Sequence, residues 1–446
     1  MGKNIKVIIT TVPFVDWHTP LVTPGYLKAI LKKRNIDCVG LDLNIEIYNK
    51  IKNDPNRSLY LDFFYKQKIH PKIAKHLTAM LYHYVKRILQ YSPTHLALSL
   101  FTRDSQVFTA WLTYLLKKIK PELKILIGGP GLETLSERKV SFPESLMNKK
   151  YIDAFLVGDS SKTFVDYFIN GDTNSAINNM TPKKDEDFIL GTTPDFDDYN
   201  FLDYEHVRLS IVDSRGCVQK CEFCDVIEFW KHYQYLPAKA IFQQMMTLIK
   251  KYNVYRFDFT SSISNGNMVE FTKLMQMIAD YNEGKYVNKQ IHWNGNFIIR
   301  KKGRHSDKLY KNIKTSNGHL NCGVESLLSG PRIKLGKNFD NNDLEDHLQK
   351  CKQFQIPVNL LIIAAYPTET TEDYKKALQW FEDNKSYANN TIMEVQMTLP
   401  ALLAGTRLSR RVNKEEFEKG HEACKVHGEK LKQKAKECGF QVVTFF

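Results

Sequence analysis

The run Arg208-Leu209-Ser210-Ile211-Val212-Asp213 has the look of a strand, and it passes directly into Ser214-Arg215-Gly216-Cys217-Val218-Gln219-Lys220-Cys221-Glu222-Phe223-Cys224. Three thiols spaced CxxxCxxC on one loop can wrap one face of a cubane, and thiolates are the soft, charged ligands that iron–sulfur clusters require. A 4Fe–4S cluster needs four ligands, and Cys217, Cys221 and Cys224 supply three. The fourth iron is thereby left open to an exogenous ligand, by the logic that keeps one position free in a catalytic metal site. Zinc is the alternative. It would ask for a fourth protein ligand, for which His232 is the nearest candidate.

Outward from this loop toward the C-terminus, strand and helix patterns alternate. Candidate strands are 208–213, 254–260, 290–299, 319–324, 356–364 and 392–398, separated by helical spacing near 237–251, 267–281, 306–315, 341–354 and 370–384. The loop and this order together resemble the radical S-adenosylmethionine enzymes, whose hallmark CxxxCxΦC has an aromatic residue before the third cysteine, here Phe223. The resemblance implies a partial (β/α)6 barrel over residues 204–406 and an open iron that binds S-adenosylmethionine. It also implies a 5′-deoxyadenosyl radical released by electron transfer, and hence an external one-electron reductant of the flavodoxin or ferredoxin type.

Further segments carry the same resemblance. Gly323-Val324-Glu325-Ser326 is similar to the family's G-[IVA]-E-S segment, whose Glu contacts the ribose of the adenosyl group; a carboxylate suits two hydroxyl donors. Ala365-Tyr366-Pro367-Thr368-Glu369-Thr370 resembles the G-x-P-x-E-T turn, with Ala365 in place of glycine, and Pro400 with Gly405-Thr406 resembles the P-x-x-G-T ending. The second strand departs from the pattern. It ends in Phe259-Thr260-Ser261-Ser262 where many members hold the methionine amino group with Gly-Gly-Glu or paired aspartates, so Ser261 and Ser262 are the candidate substitutes. Arg300, closing the third strand, is the candidate partner of the methionine carboxylate.

The N-terminal third also alternates. Ile5–Thr10, Cys38–Leu43, His95–Leu100, Lys124–Ile127 and Ile152–Val157 read as strands, the first a β-branched run suited to burial on both faces. Thr23-Pro24 starts a helix with Leu27, Ile30 and Leu31 at helical spacing, and Ile73, Leu77, Leu81 and Tyr84 mark another. The expected fold of residues 1–167 is a doubly wound, Rossmann-like parallel sheet, which binds ligands beyond the carboxyl ends of its strands. Thr23-Pro24-Gly25-Tyr26-Leu27, Gly128-Gly129-Pro130 and Asp153-Ala154-Phe155-Leu156-Val157-Gly158-Asp159 resemble, in order, segments of the cobalamin-binding branch of the family. That resemblance implies cobalamin near Gly128, Gly129 and Gly158. Asp16-Trp17-His18-Thr19-Pro20-Leu21 matches the cobalt-ligating DxHxxG at Asp16 and His18 but has Leu21 for glycine, so a loop role competes with ligation for His18.

Between the two lies a stretch, 168–203, rich in Asn, Asp, Thr and Pro, expected to be a linker with a local anchor at Pro194–Tyr199. Residues 407–446 read as a basic helical segment in which Cys424 and Cys438 do not make a second cluster loop. Length fits two or three domains: 446 residues, with 43% apolar and 25% charged, excludes a mostly disordered or disulfide-stapled chain. Eight cysteines, three of them crowded into one loop, speak for metal chemistry in a reducing cytoplasm. Net charge +14 favours an anionic partner, but no basic block is long, so nucleic acid is not the expected one. No apolar run reaches the ~18 residues of a membrane span, and the first residues lack a signal-peptide pattern. The expected reaction is cobalamin-dependent methylation of an unactivated carbon in a small molecule or peptide. The rivals are a radical rearrangement, cyclisation or thiolation, and a non-enzymatic iron–sulfur module.

Overall fold

The computed structural model describes residues 5–13, 17, 19–132, 141–158, 161–170, 177–178, 189–230, 232–285, 288–364, 366 and 369–445. The chain divides into two compact units, Met1–Ser210 and Ile211–Phe446.

In the first unit, strands β1 (Lys6–Thr11), β2 (Asp37–Asp42), β3 (His95–Ser99), β4 (Lys124–Gly128), β5 (Ala154–Val157) and β6 (Ile177–Asn178) form a parallel sheet in the order 2-1-3-4-5-6. The order reverses between β1 and β3, which makes the topological switch point of a doubly wound sheet. Both faces of β1 are covered, Ile8 in one apolar core and Val7 and Ile9 in the other, which is why the strand reads as a continuous β-branched run. Helix Pro71–Leu89 buries Ile73, Leu77, Leu81, Tyr84 and Ile88, one face at helical spacing. Two helices, Leu43–Ile51 and Arg57–Lys66, occupy a stretch whose mixed polar and aromatic sequence gives no clear period. The first is set by Asp42, whose carboxylate accepts from the Ile45 N–H at 3.0 Å as an N-cap.

Where it is described, the expected linker is anchored to the first unit. Lys28, almost wholly buried, pairs with Asp195 at 3.0 Å and with Asp198, while Asp198 accepts the Gly40 N–H at 2.6 Å. Phe196 is buried, and Tyr204 donates to Asp42 at 2.9 Å. A buried ammonium must be paired, and residues 195–204 supply the pairs.

β7 (Leu209–Ile211), at the division between the units, leads to a small antiparallel ribbon of β8 (Ser214–Arg215) and β9 (Gln234–Tyr235). Then come β10 (Arg256–Phe259), β11 (His292–Phe297), β12 (Gly318–Glu325), β13 (Val358–Ile363), β14 (Ile392–Thr398) and β15 (Val442–Thr444). The sheet order is 15-14-13-12-11-10-7, with parallel pairing from β10 to β15 and a helix in each connection. The helices start on strong caps: Asp340 and Asp343 form a reciprocal capping box for Asn341–Phe354, as do Thr370 and Asp373 for Thr371–Asp383. All six expected strands are present, which confirms the α/β architecture. The C-terminal segment adds more than a basic helix: Lys414–Glu437 leads into β15, which extends the sheet beside β14. That helix buries Phe417, Cys424, Leu431 and Ala435 and stacks His427 on Tyr374 at 4.3 Å. Among the described residues no helix is long and apolar enough to cross a membrane.

Candidate metal centre

The three-cysteine loop leaves the strand ends through Gly216, whose φ of +75° and whose closeness to the His232 carbonyl (2.8 Å from an added Cβ) admit only glycine. The loop is then tied down at Glu222. Its N–H donates to the Leu335 carbonyl at 3.0 Å, its carbonyl accepts the Leu408 N–H at 2.8 Å, and its carboxylate pairs with Arg411 at 3.2 Å. Phe223 packs among Leu335, Tyr366, Leu408 and Phe417, so the aromatic residue between the second and third thiols anchors the loop to an apolar cluster. Gly336 (φ +88°) lets its backbone pass the Cys221 Cα, which an added Cβ would meet at 3.1 Å.

Burial dominates the thiols, pushing Cys221 up to about 12 and Cys224 up to about 11 and raising Cys217 as well, because a thiolate loses its hydration there. Working against this at all three is one cation, Lys337. Burial alone would lower Lys337, yet the Glu325 carboxylate and the thiols hold it above its ordinary value. Lys337 Nζ lies 2.9 Å from Glu325 Oε1. Glu325 takes a left-handed φ of +64° at the end of β12, beside a shift in the β12–β13 register. Gly323 makes room for the pair, since a Cβ there would meet Glu325 Oε1 at 2.6 Å and Lys337 Nζ at 2.9 Å. The turn after Glu325 is braced by buried Arg332, whose Nε donates to the Ser326 carbonyl at 2.9 Å, and by Ser326, which donates to Glu369 at 2.8 Å.

The structure thus brings Cys217, Cys221, Cys224 and Glu325 into one electrostatic neighbourhood and adds Lys337, which sequence reasoning missed. Its signal was the lysine following Gly336, legible only once Glu325 had a place in space. Among the described residues no three His, Cys, Asp or Glu side chains converge where a single metal ion would sit. A cubane asks less convergence, because each thiolate bonds its own iron.

Other expected site residues are placed differently. Ser261 is buried, and its hydroxyl donates to Asp213 at 2.5 Å, so it is turned into the protein. Ser262 is exposed. The Arg300 guanidinium donates to the carbonyls of Asn265 (2.9 Å) and Gly266 (3.2 Å), bridging the loops after β10 and β11. In the first unit, Gly128, Gly129 and Gly158 do stand at the carboxyl ends of β4 and β5. Gly129, however, answers to the protein's own backbone: its φ is +104° and an added Cβ would meet the Leu100 carbonyl at 2.2 Å. His18 and Asp16 lie outside the described residues, as do Asp159, Ala365, Pro367 and Thr368.

Residues 211–381 match the family model of the radical SAM superfamily. Two curated relatives are named anaerobic magnesium-protoporphyrin IX monomethyl ester cyclases. That of Cereibacter sphaeroides is 22% identical over 210 residues, covering 44% of this chain and 33% of the relative. That of Rubrivivax gelatinosus is 20% identical over 302 residues, covering 62% and 52%. The chain therefore spans between a third and a half of the length of these relatives. Among solved structures, the radical S-adenosylmethionine methyltransferase TsrM from Kitasatospora setae, with cobalamin and a [4Fe-4S] cluster bound, aligns with TM-score 0.64 at 14% identity. The alignment covers 92% of this chain and 78% of that one. The cobalamin-dependent radical enzyme OxsB with aqua-cobalamin aligns with TM-score 0.60 at 14% identity, covering 94% and 56%. At such identities the likeness shows the fold, and it takes in both units.

Proposed function

Starting from a chain that carries a radical SAM domain, we propose that it is a cobalamin-dependent radical S-adenosylmethionine methyltransferase acting on an unactivated carbon. The observation that carries the radical chemistry is the loop of three thiols, Cys221 buried and Cys217 and Cys224 part-buried, sharing one cation with the Glu325 carboxylate. These residues fit a cluster: the loop backbone is fixed at Gly216, Glu222 and Gly336, and Lys337 offsets the negative charge that three thiolates bring. Cys217, Cys221 and Cys224 would hold the iron. Glu325 offers acceptors for the ribose hydroxyls. When bound, the cluster and S-adenosylmethionine supply a reducing electron and a hydrogen-abstracting radical, and a corrinoid supplies the methyl group. The protein's part is to hold these groups, fix the substrate and keep water away.

The corrinoid half of the proposal is supported by the first unit's switch-point topology and by the cobalamin bound in the aligned structures of TsrM and OxsB. The cyclases among the curated relatives favour a second reading, a radical cyclisation that needs no methyl carrier. The experiment is anaerobic assembly with iron, sulfide and methylcobalamin, followed by turnover with S-adenosylmethionine, an external one-electron reductant and candidate substrates. Methyl transfer predicts retained corrinoid and one S-adenosylhomocysteine for each 5′-deoxyadenosine. Substrate-dependent 5′-deoxyadenosine with no S-adenosylhomocysteine and no corrinoid would select the cyclisation reading.

A further inference from the structure

Three stretches of chain meet at Glu222, in the thiol loop. The Glu222 N–H donates to Leu335, its carbonyl accepts from Leu408, and Gly336 lies against Lys220 and Cys221. Exposed cations stand on all three. Lys220 is on the loop, Lys334 precedes Leu335, and Arg410 and Arg411 lie on the turn after Leu408, with Arg407 partly exposed beside them. Residues 217–224, 329–338 and 399–413 hold one carboxylate, that of Glu222, and it is shared by Arg411 at 3.2 Å and Arg407 at 3.9 Å. Further carboxylates border the patch: Asp225 after Cys224, Asp373, on which Lys334 acts, and Glu418, 3.9 Å from Lys414. Its middle keeps an excess of positive charge.

Elsewhere on the second unit the lysines sit beside carboxylates: Lys273 by Glu270, Lys350 by Asp307, Lys376 by Glu372 and Lys432 by Glu429. A protein surface ordinarily intersperses both signs. Like charges gathered in one place repel one another and add nothing to the fold, but they attract and orient an anionic partner. Part of the net charge of +14 is thereby concentrated around the metal centre. Arginine is the cation enriched at protein interfaces, and Arg407, Arg410 and Arg411 make up most of the patch. Ile333, 53% exposed and next to Lys334, adds an apolar contact.

We infer that this patch docks an acidic protein that delivers single electrons to the centre. The inference rests on the radical reading, in which each cleavage of S-adenosylmethionine consumes an electron supplied from outside, and it adds where the supplier binds and by what charge. In the step itself the carrier loses one electron and the cluster gains it, while no bond or proton moves. Lys220 is joined to Cys221 in the chain, and Leu335 reaches the loop through one hydrogen bond, so a carrier on the patch lies a short bonded path from the second thiol. Redox encounters of this kind bury little surface, less than about 1,200 Å², and charge sets their association rate.

Flavodoxin, a small acidic flavoprotein, is the probe. Titrated in its oxidised form into the full-length, cluster-loaded protein, it should bind, and Lys334→Glu/Arg410→Glu should weaken the binding roughly tenfold or more. Lys250→Glu/Lys311→Glu, an equal change of net charge on the exposed faces of the helices leading into β10 and β12, should leave it unchanged. Stopped-flow reduction of the cluster by reduced flavodoxin should slow severalfold in the patch variant, and also as salt rises past about 0.1 M, where the screening length is about 10 Å. Reduction by dithionite should be the same in both variants and the wild type. Absent binding, equal binding in the patch variant, or reduction by flavodoxin as fast in that variant as in the wild type would overturn the inference. So would total tRNA held by the patch where flavodoxin is not. If dithionite supports cleavage of S-adenosylmethionine while flavodoxin does not bind, this inference fails and the radical reading stands. If the wild type assembles no cluster, the radical reading fails, and the titration still decides whether the patch takes an acidic protein.

Discussion

Gly128 and Gly129 are neighbours in sequence with opposite demands. A Cβ on Gly128 would make ordinary contacts with Leu156 at 3.6 and 3.8 Å, whereas one on Gly129 would strike the Leu100 carbonyl. Gly128→Ala should therefore cost little, and Gly129→Ala should lower stability by roughly 1–3 kcal/mol or more through strain and overpacking, as chemical denaturation would show. This makes Gly129 a poor probe of ligand binding, since any replacement disturbs the turn itself. Asp42 gives the pH behaviour of the first unit. Burial pushes its carboxyl from 3.8 up to about 6, only partly offset by the N–H of Ile45 and the hydroxyl of Tyr204. A raised folded-state value means its contribution is fully present below about pH 4 and is lost as pH rises through about 6. The expected loss is on the order of 2–3 kcal/mol. Asp42→Asn should accordingly gain on the wild type as pH rises from about 5 to 8; a thermal-melting difference that stays flat over that range would refute the assignment.

At the scale of elements, the Lys28 contacts determine how residues 195–204 are held. Lys28→Ala leaves Asp195 and Asp198 without their buried partner and should destabilise the first unit by roughly 3–5 kcal/mol, with faster hydrogen exchange over residues 194–200 as the direct readout. The strands and most helices were legible because burial imposes a period: β1 is covered on both faces, and helix Pro71–Leu89 repeats every three or four residues. Residues 195–204 were legible only as a linker with a local anchor at Pro194–Tyr199; what they anchor to was not, because their order comes from pairing with Lys28 and Asp42, which are distant in sequence. For the same reason β15 was hidden: three residues after a polar helix carry little pattern, and only pairing with β14 makes them a strand. In the candidate site, the grouping of the three thiols on one loop was legible from spacing alone. Lys337 was not, because its meaning lies in distance to Glu325. Ser261 misled because its hydroxyl, free in the sequence, is taken by Asp213 in the fold.

Taken as a whole molecule, the chain combines a doubly wound sheet with a second sheet, in the region that matches the radical SAM family model, whose strand-end loop carries three thiols. Cys217, Cys221 and Cys224 are proposed as the protein ligands of one 4Fe–4S cluster that cleaves S-adenosylmethionine. Lys337→Ala should leave the fold intact but reduce the iron retained after desalting, because the thiolates lose the cation that offsets their charge. The most direct measurement is iron and sulfide analysis, with the visible spectrum, of anaerobically reconstituted wild type and of Cys217→Ala, Cys221→Ala and Cys224→Ala. Release of 5′-deoxyadenosine after addition of dithionite and S-adenosylmethionine is assayed on the same samples. Four irons, four sulfides and 5′-deoxyadenosine are expected for the wild type, with the cluster and its product lost in each variant and both kept in Cys424→Ala. A full cluster spectrum with continued 5′-deoxyadenosine release in Cys217→Ala would contradict this assignment.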